Sequence, residues 1–239
     1  MEILLDTHCH TVASGHAYST ITEYVHEAAR KNIKLIAITE HAPEMPGAPS
    51  SFYFGNLKVI PKFIDGIEVL SGVELNIMDS EGRVDLKNGL LKKLNVVIAS
   101  LHSPCFDPST YENHTMAVIN TMKNPLVRVI GHLGDPRYPM DYEKVVSTAK
   151  ETDTAIEINN SSLHPRSARF GGEEIILDML RLCKKQSAKV IMASDSHFHQ
   201  ELGVLDKAEE LIEKSEIDRS LVLNYSISAF KKFFELCED

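Results

Sequence analysis

The sequence predicts an α/β fold, a closed (β/α) barrel of seven parallel strands whose polar groups gather at the C-terminal mouth. Three observations predict it. Short β-branched apolar runs alternate with amphipathic stretches along the chain, the pattern of a parallel sheet covered on both faces by crossover helices. Seven of those runs end in a histidine, a carboxylate or an amide. An open doubly wound sheet collects ligands mainly where its strand order reverses, whereas a barrel brings every strand end to one mouth. The length of 239 residues suits one such unit, so residues 1–239 are read as a single domain.

Taken in order, EILLD ends at Asp6 and leads to His8 and His10. KLIAITEH ends at His41, IEVLSGVE at Glu74, NVVIASLH at His102 and VRVIGH at His132. AIEINN delivers Asn159 and Asn160, and KVIMASDSH delivers Asp195 and His197. Between the strands, residues 21–31 (ITEYVHEAARK) follow Thr20, with Glu23 three positions later, the signature of a capping box. Further helices are expected over residues 85–94, 111–123, 141–151, 173–187, 203–214 and 226–237. The run SLVLN at 220–224 is either an eighth strand or the approach to the last helix. Residues 42–56 (APEMPGAPSSFYFGN) hold three prolines and two glycines, too many for a helix interior or a central strand. They are expected as a mouth-side loop whose Phe52, Tyr53 and Phe54 either form a lid or pack onto the barrel.

Composition narrows the class. With 43% hydrophobic and 25% charged residues and no low-complexity tract, the chain reads as a soluble globular protein. A formal charge of -9 opposes an extended nucleic-acid track or an anionic membrane surface. No basic leader with an apolar core and no run of about 20 apolar residues is found, so a cytoplasmic location without membrane association is expected. Cys9, Cys105, Cys183 and Cys237 lie far apart without CxxC spacing, so reduced thiols are expected rather than a disulfide framework or a thiolate zinc site. Cys9 falls between two histidines, but strand alternation turns it to the opposite face.

His8 and His10, at i and i+2, share a face. His16, His41, His102, His132 and His197, together with Glu74 and Asp195, also lie at or just beyond strand ends. Gathering these nine groups in a buried mouth without a cation would leave desolvated polar atoms, each costing about 1–3 kcal/mol. Nitrogen and carboxylate donors without thiolate suit Zn, Mn or Fe in a multinuclear hydrolytic site. Asp6 is placed either to orient His8 or His10 through the far ring nitrogen or to cap the strand end. His26 and His114 fall within helices and are read as surface or core residues; His164 and His199 carry no assigned role, although His199 lies close enough to His197 to support it. Neither a nucleophile elbow, a P-loop nor a dinucleotide fingerprint occurs, which leaves metal-activated water as the nucleophile.

DTHCHTVASGHAYST, AITEHAP, SGVELNI, SLHSP, GHLGDP, EINNSS and ASDSHF, in that order over nearly the whole chain, resemble the motif series of the PHP (polymerase and histidinol phosphatase) family, particularly its YcdX-like phosphatase branch. The resemblance implies a distorted, TIM-barrel-like seven-stranded fold with three divalent ions at the mouth. It implies that His8, His10, Glu74 and Asp195 hold one ion, that Glu74 bridges to a second held by His102 and His132, and that His16, His41 and His197 hold the third. Glu74 and Asp195 are then the catalytic carboxylates. One departure is TEH at 39–41, where family members typically carry TDH; His41 is retained.

The activity implied is that of a metal-dependent phosphoesterase, a phosphomonoesterase acting on a small phosphorylated metabolite, with Zn expected and Mn or Fe as alternatives. Phosphate needs donors beside the metals, and Arg166 in SSLHPRSARFGG and Arg137 in GDPRYP lie on mouth-side loops. Competing readings are a histidinol-phosphate phosphatase, a TatD-like metal-dependent deoxyribonuclease and a noncatalytic metal-binding accessory module. A two-metal deoxyribonuclease has no need of the triad His16, His41 and His197, and an accessory module would be marked by lost ligands, of which none is missing.

Overall fold

A computed structural model describes residues 3–236. Its strands are β1 (Leu5–Cys9), β2 (Leu35–Ile38), β3 (Phe63–Ile64), β4 (Ile67–Asn76), β5 (Val96–Ser100), β6 (Val129–Ile130), β7 (Ala155–Asn159) and β8 (Val190–Ala193). All but β3 run parallel in the order β1-β2-β4-β5-β6-β7-β8, and β3 is a short antiparallel flap on β4. The seven parallel strands form a nearly closed barrel. Both faces of these strands are buried, as the apolar runs of β2, β5 and β8 require, and in β1 and β7 the buried positions include Asp6, His8 and Glu157. One face packs Leu35, Ala37, Val96, Ile98 and Ile191 against Phe230 and Phe233. These two phenylalanines come from the last helix of the chain, and the other face meets the earlier helices.

The helices are α1 (Ile21–Arg30), α2 (Ser51–Asn56), α3 (Asn88–Leu91), α4 (Tyr111–Met122), α5 (Tyr142–Glu151), α6 (Glu173–Gln186), α7 (Asp206–Ser215) and α8 (Ile227–Phe233), the last carrying Phe230 and Phe233. The capping box at α1 is formed in both directions: Glu23 N–H donates to Thr20 Oγ1 at 3.4 Å and Thr20 N–H to Glu23 Oε2 at 2.7 Å. Residues 42–56 are not loop throughout. The prolines end at position 49, which frees 51–56 to form α2 and bury Phe54 at 1% exposure, while Phe52 stays 81% exposed. The expected helix at 85–94 shrinks to the single turn of α3, and α7 starts only at Asp206, after Gly203 at φ 65°. Among the described residues no helix is long and apolar enough to cross a membrane. Cys9, Cys105 and Cys183 are free thiols, and Cys237 lies outside the described residues.

The run 220–224 is not an eighth strand. It forms two 3-10 turns, Arg219–Leu221 and Leu223–Tyr225, and meets the sheet through a single bridge from Val222 to Val190. What closes the barrel between β8 and β1 at this level is the Asn224 side chain. Its Oδ1 accepts from Met192 N–H at 2.7 Å, while its Nδ2 donates to Met192 C=O at 2.7 Å and to Leu5 C=O at 3.3 Å. A carboxamide carries the donor and acceptor of a peptide group, so it stands in for a missing rung. Nearer the mouth Ser196 completes the seam, with its N–H on His8 C=O and its C=O accepting from His10 N–H at 2.9 Å.

Candidate metal centre

All nine sequence-predicted donors converge on the mouth, with the Glu74 carboxylate in their midst. Glu74 Oε1 lies 3.3 Å from His8 Nε2, 3.2 Å from His102 Nε2 and 3.1 Å from His132 Nε2. Glu74 Oε2 lies 2.7 Å from His41 Nδ1 and 3.5 Å from His10 Nε2. Asp195 Oδ1 sits 3.3 Å from His10 Nε2 and 3.5 Å from His8 Nε2, with His197 Nδ1 at 3.7 Å. His16 joins from the loop after β1, its Nε2 3.2 Å from His41 Nε2 and its ring 4.9 Å from that of His197.

Much of this proximity is not hydrogen bonding, although His132 Nε2 does meet Glu74 Oε1 at 3.1 Å. His8 Nε2, His10 Nε2, His41 Nδ1 and Glu74 Oε2 are buried without any hydrogen-bond partner, a concentration of unsatisfied groups that native interiors avoid unless a ligand completes them. Three overlapping groups have donor atoms within 4.8 Å of one another: His8, His10 and Glu74; His41, Glu74 and His102; and His10, His41 and His197. The chemistry of this set, imidazole nitrogen and carboxylate oxygen, fits divalent Zn, Mn or Fe.

Protonation favours cation binding. Burial and then the neighbouring His41 and His197 push His10 well below the ordinary imidazole range, so its lone pair is free. Burial likewise lowers His16 and His102. Burial alone would raise Glu74 and Asp195, but for Glu74 the imidazoles of His102, His8 and His41, and for Asp195 His8 and the Arg169 guanidinium, outweigh it and hold both carboxyls well below their usual range. His8 is the exception: burial opposes its protonation, yet the charges of Glu157, Glu74 and Asp195 raise it well above the usual value.

Each ring has a second nitrogen to place. His8 Nδ1 meets Glu157 Oε1 at 2.5 Å, His10 Nδ1 meets Ser14 Oγ at 3.1 Å, His102 Nδ1 meets Asn76 Oδ1 at 2.7 Å, and His197 Nδ1 meets Asp195 C=O at 3.1 Å. Such partners set ring orientation and tautomer. Asp6 is not among them, so of its two expected roles the strand-end one holds. Its carboxylate accepts from Ser194 Oγ at 2.5 Å and Gly203 N–H at 2.8 Å, because donors at the β1–β8 seam would otherwise go unpaired. His199 also faces away, to Ser19 Oγ at 2.9 Å, while His114 is held between Pro139 C=O and Ser109 N–H and His26 is exposed near Asp65.

The residues that sequence reading missed are Glu157, Ser14, Asn76 and Glu40. Glu157 lies two positions before Asn159, on the same face of β7, and a carboxylate inside an apolar strand was its available signal. Glu40, the departure in TEH, accepts from Ser14 Oγ at 2.6 Å and Thr11 N–H at 3.0 Å, and Ser14 Oγ in turn accepts from His41 N–H at 3.1 Å. Gly15, next to His16, has φ 79°, and a Cβ there would stand 2.4 Å from Gly47 C=O. The loop at 42–50 therefore buttresses the turn that carries His16. His132 and Asp195 themselves adopt φ 33° and 53°, a left-handed backbone that non-glycine residues keep where surrounding structure enforces it, often at functional sites.

A cleft of about 200 Å³ over the donors is lined by His16, His41, His102, Arg137, Arg169 and His197. Arg169 ion-pairs with Asp195 Oδ2 and donates through Nε to Ser162 Oγ at 2.9 Å. Arg137 is forked onto Asp135, with Nη2 2.6 Å from Oδ2, and reaches Ser103 Oγ through Nη1 at 3.3 Å. Arg166 is not at this cleft. Successive turns, Ser167 N–H to His164 C=O and Phe170 N–H to Ser167 C=O, rotate the segment so that Ala168 and Arg169 face the donors. Arg166 faces a separate cavity of about 320 Å³ with His164 and Glu201.

The sequence profile of the PHP domain matches residues 6–164. A probable phosphatase of Thermoanaerobacter sp. (strain X514) is 49% identical over 236 residues, covering 98% of this chain and 96% of the relative. A probable phosphatase of Caldanaerobacter subterraneus subsp. tengcongensis is 50% identical over 236 residues, covering 98% and 92%. The crystal structure of histidinol phosphate phosphatase from Lactococcus lactis, complexed with Zn, L-histidinol and phosphate, superposes with a TM-score of 0.62 at 18% identity, covering 90% of this chain and 95% of that one. At that identity the likeness is one of fold.

Proposed function

The chain belongs to the PHP domain family, and on that ground we propose that it is a metal-dependent phosphomonoesterase that hydrolyses a small phosphorylated metabolite at a trinuclear centre. The observation that carries the reading is the set of buried, unpartnered donor atoms around Glu74. His8, His10, Glu74 and Asp195 would hold one ion, Glu74, His102 and His132 the second, and His16, His41 and His197 the third. Zn is the favoured occupant; it is the metal in the Lactococcus lactis phosphatase, and the donor set also admits Mn or Fe. Ions held by these residues would supply Lewis acidity and a nucleophilic water.

The chain's own residues bind and orient. Glu74, with one carboxylate oxygen beside His8, His102 and His132 and the other beside His41 and His10, would lower the repulsion between ions held by these residues, and Asp195 would add a second carboxylate beside His8 and His10. Arg169 and Arg137 present guanidinium groups at the rim of the cleft, where they can grip phosphoryl oxygens in pairs. The reading assigns this role to Arg169 in place of Arg166. The cleft of about 200 Å³ suits a phosphoryl group with a modest leaving group rather than a polynucleotide, and the overall charge of -9 agrees. A reducing cytoplasm would suit the free thiols.

The direct test reconstitutes stripped protein separately with Zn, Mn and Fe and follows phosphate release from p-nitrophenyl phosphate and a metabolite panel that includes histidinol phosphate. No turnover with ions confirmed bound would sink the assignment, and about two ions per chain instead of three would favour the deoxyribonuclease reading. Arg169→Ala should raise KM about tenfold and weaken inhibition by inorganic phosphate to match, since a charge-assisted hydrogen bond contributes about 1.5–3 kcal/mol. Unchanged KM and phosphate inhibition would remove Arg169 from the role.

A further inference from the structure

Glu157 lies inside β7, 1% exposed, and no lysine or arginine among the described residues pairs with it. Burying a carboxylate this way is costly unless its oxygens are fully engaged. They are engaged by the metal-binding residues themselves. Oε1 meets His8 Nδ1 at 2.5 Å, and Oε2 accepts the backbone N–H of His132 at 2.9 Å and Asn159 Nδ2 at 3.0 Å. Asn159 Nδ2 donates in addition to Asp195 Oδ2 at 3.2 Å. A ring from β1, a strained backbone turn after β6 and, through Asn159, the carboxylate after β8 are thus tied to one side chain.

We propose that Glu157 is a positioning residue that couples the two ion positions sharing Glu74, holding His8 with its proton on Nδ1 and its Nε2 lone pair toward the ions while pinning the His132 turn at φ 33°. The proposal rests on the ligand division above. His8 belongs to the first position and His132 to the second, so one carboxylate acts on both. It has no described contact with His16, His41 or His197, so the third position should not feel it.

Glu157→Gln tests this because glutamine keeps the shape but has one acceptor and one donor end. It can accept from His8 or from His132 N–H, not from both. Stripped wild type and variant would be titrated with Zn²⁺ against a chromophoric chelator and with Co²⁺ followed by visible absorption, and the melting temperature of each metal-free protein recorded. Expected is a 10- to 100-fold loss of affinity at the two positions that share Glu74, altered Co²⁺ bands for them, and an unchanged third position. The metal-free variant should melt within about 3 °C of the metal-free wild type, a shift under about 1.5 kcal/mol for a chain of this size. Unchanged affinity, equal weakening at all positions, or a variant that melts far lower or fails to fold would each overturn the proposal, the last by showing a merely structural role. If wild type binds other than three ions, the trinuclear reading fails by itself. A matched, selective loss in the variant would still uphold the coupling.

Discussion

Glu74→Gln is expected to release the ions that share this residue and to lower kcat by about 10³-fold or more, on the order of 4 kcal/mol of lost transition-state stabilisation. The substitution keeps size and shape. What it removes is the negative charge on two oxygens, one beside His8, His102 and His132 and the other beside His41 and His10. An amide NH₂ turned toward any of those nitrogens meets a lone pair meant for a cation on one side only, and the ion positions lose the charge between them. Elemental analysis of the purified variant and p-nitrophenyl phosphate turnover under metal excess check both halves. Full metal content with near-normal turnover would refute a bridging role.

Asn224→Ala should open the barrel seam outside the centre, lowering unfolding free energy in urea by about 3 kcal/mol. The truncation leaves Met192 N–H, Met192 C=O and Leu5 C=O without partners in a closed interior, and each unsatisfied buried group costs about 1–3 kcal/mol. Partial relaxation of the seam keeps the total near the lower end. Asn224→Asp should fare no better, because it loses both donated bonds and buries a charge. The seam also sets the distance between His8 on β1, His10 just past it and Asp195 just past β8, so reduced metal affinity should accompany the lost stability. A variant within 1 kcal/mol of wild type would show that the backbone contacts of Ser196 close the barrel unaided.

Legibility differed between the candidate donors and the residues that hold them. The nine candidates stood out because they lie at or just beyond the ends of apolar runs, and burying imidazoles and carboxylates there has few purposes. Glu157 and Glu40 look the same in composition, yet their roles depend on which oxygen faces which donor, which no spacing encodes. Arg166 and Arg169 differ by three positions in one loop, and only the turns through His164, Ser167 and Phe170 decide which of them reaches Asp195. Asp6 was left between two roles for a similar reason: its partners, Ser194 and Gly203, are nearly two hundred residues away in sequence.

By itself the sequence determined the α/β class, the seven parallel strands, the strand-end donors and the absence of thiolate among them. These follow from local periodicity and residue chemistry, which act over a few positions. Only the tertiary structure decided how the barrel closes, with the Asn224 amide in place of an eighth strand, and which side chains aim the histidines. Those outcomes depend on pairing buried donors with buried acceptors across the whole chain, a condition satisfied in three dimensions and invisible in any one segment.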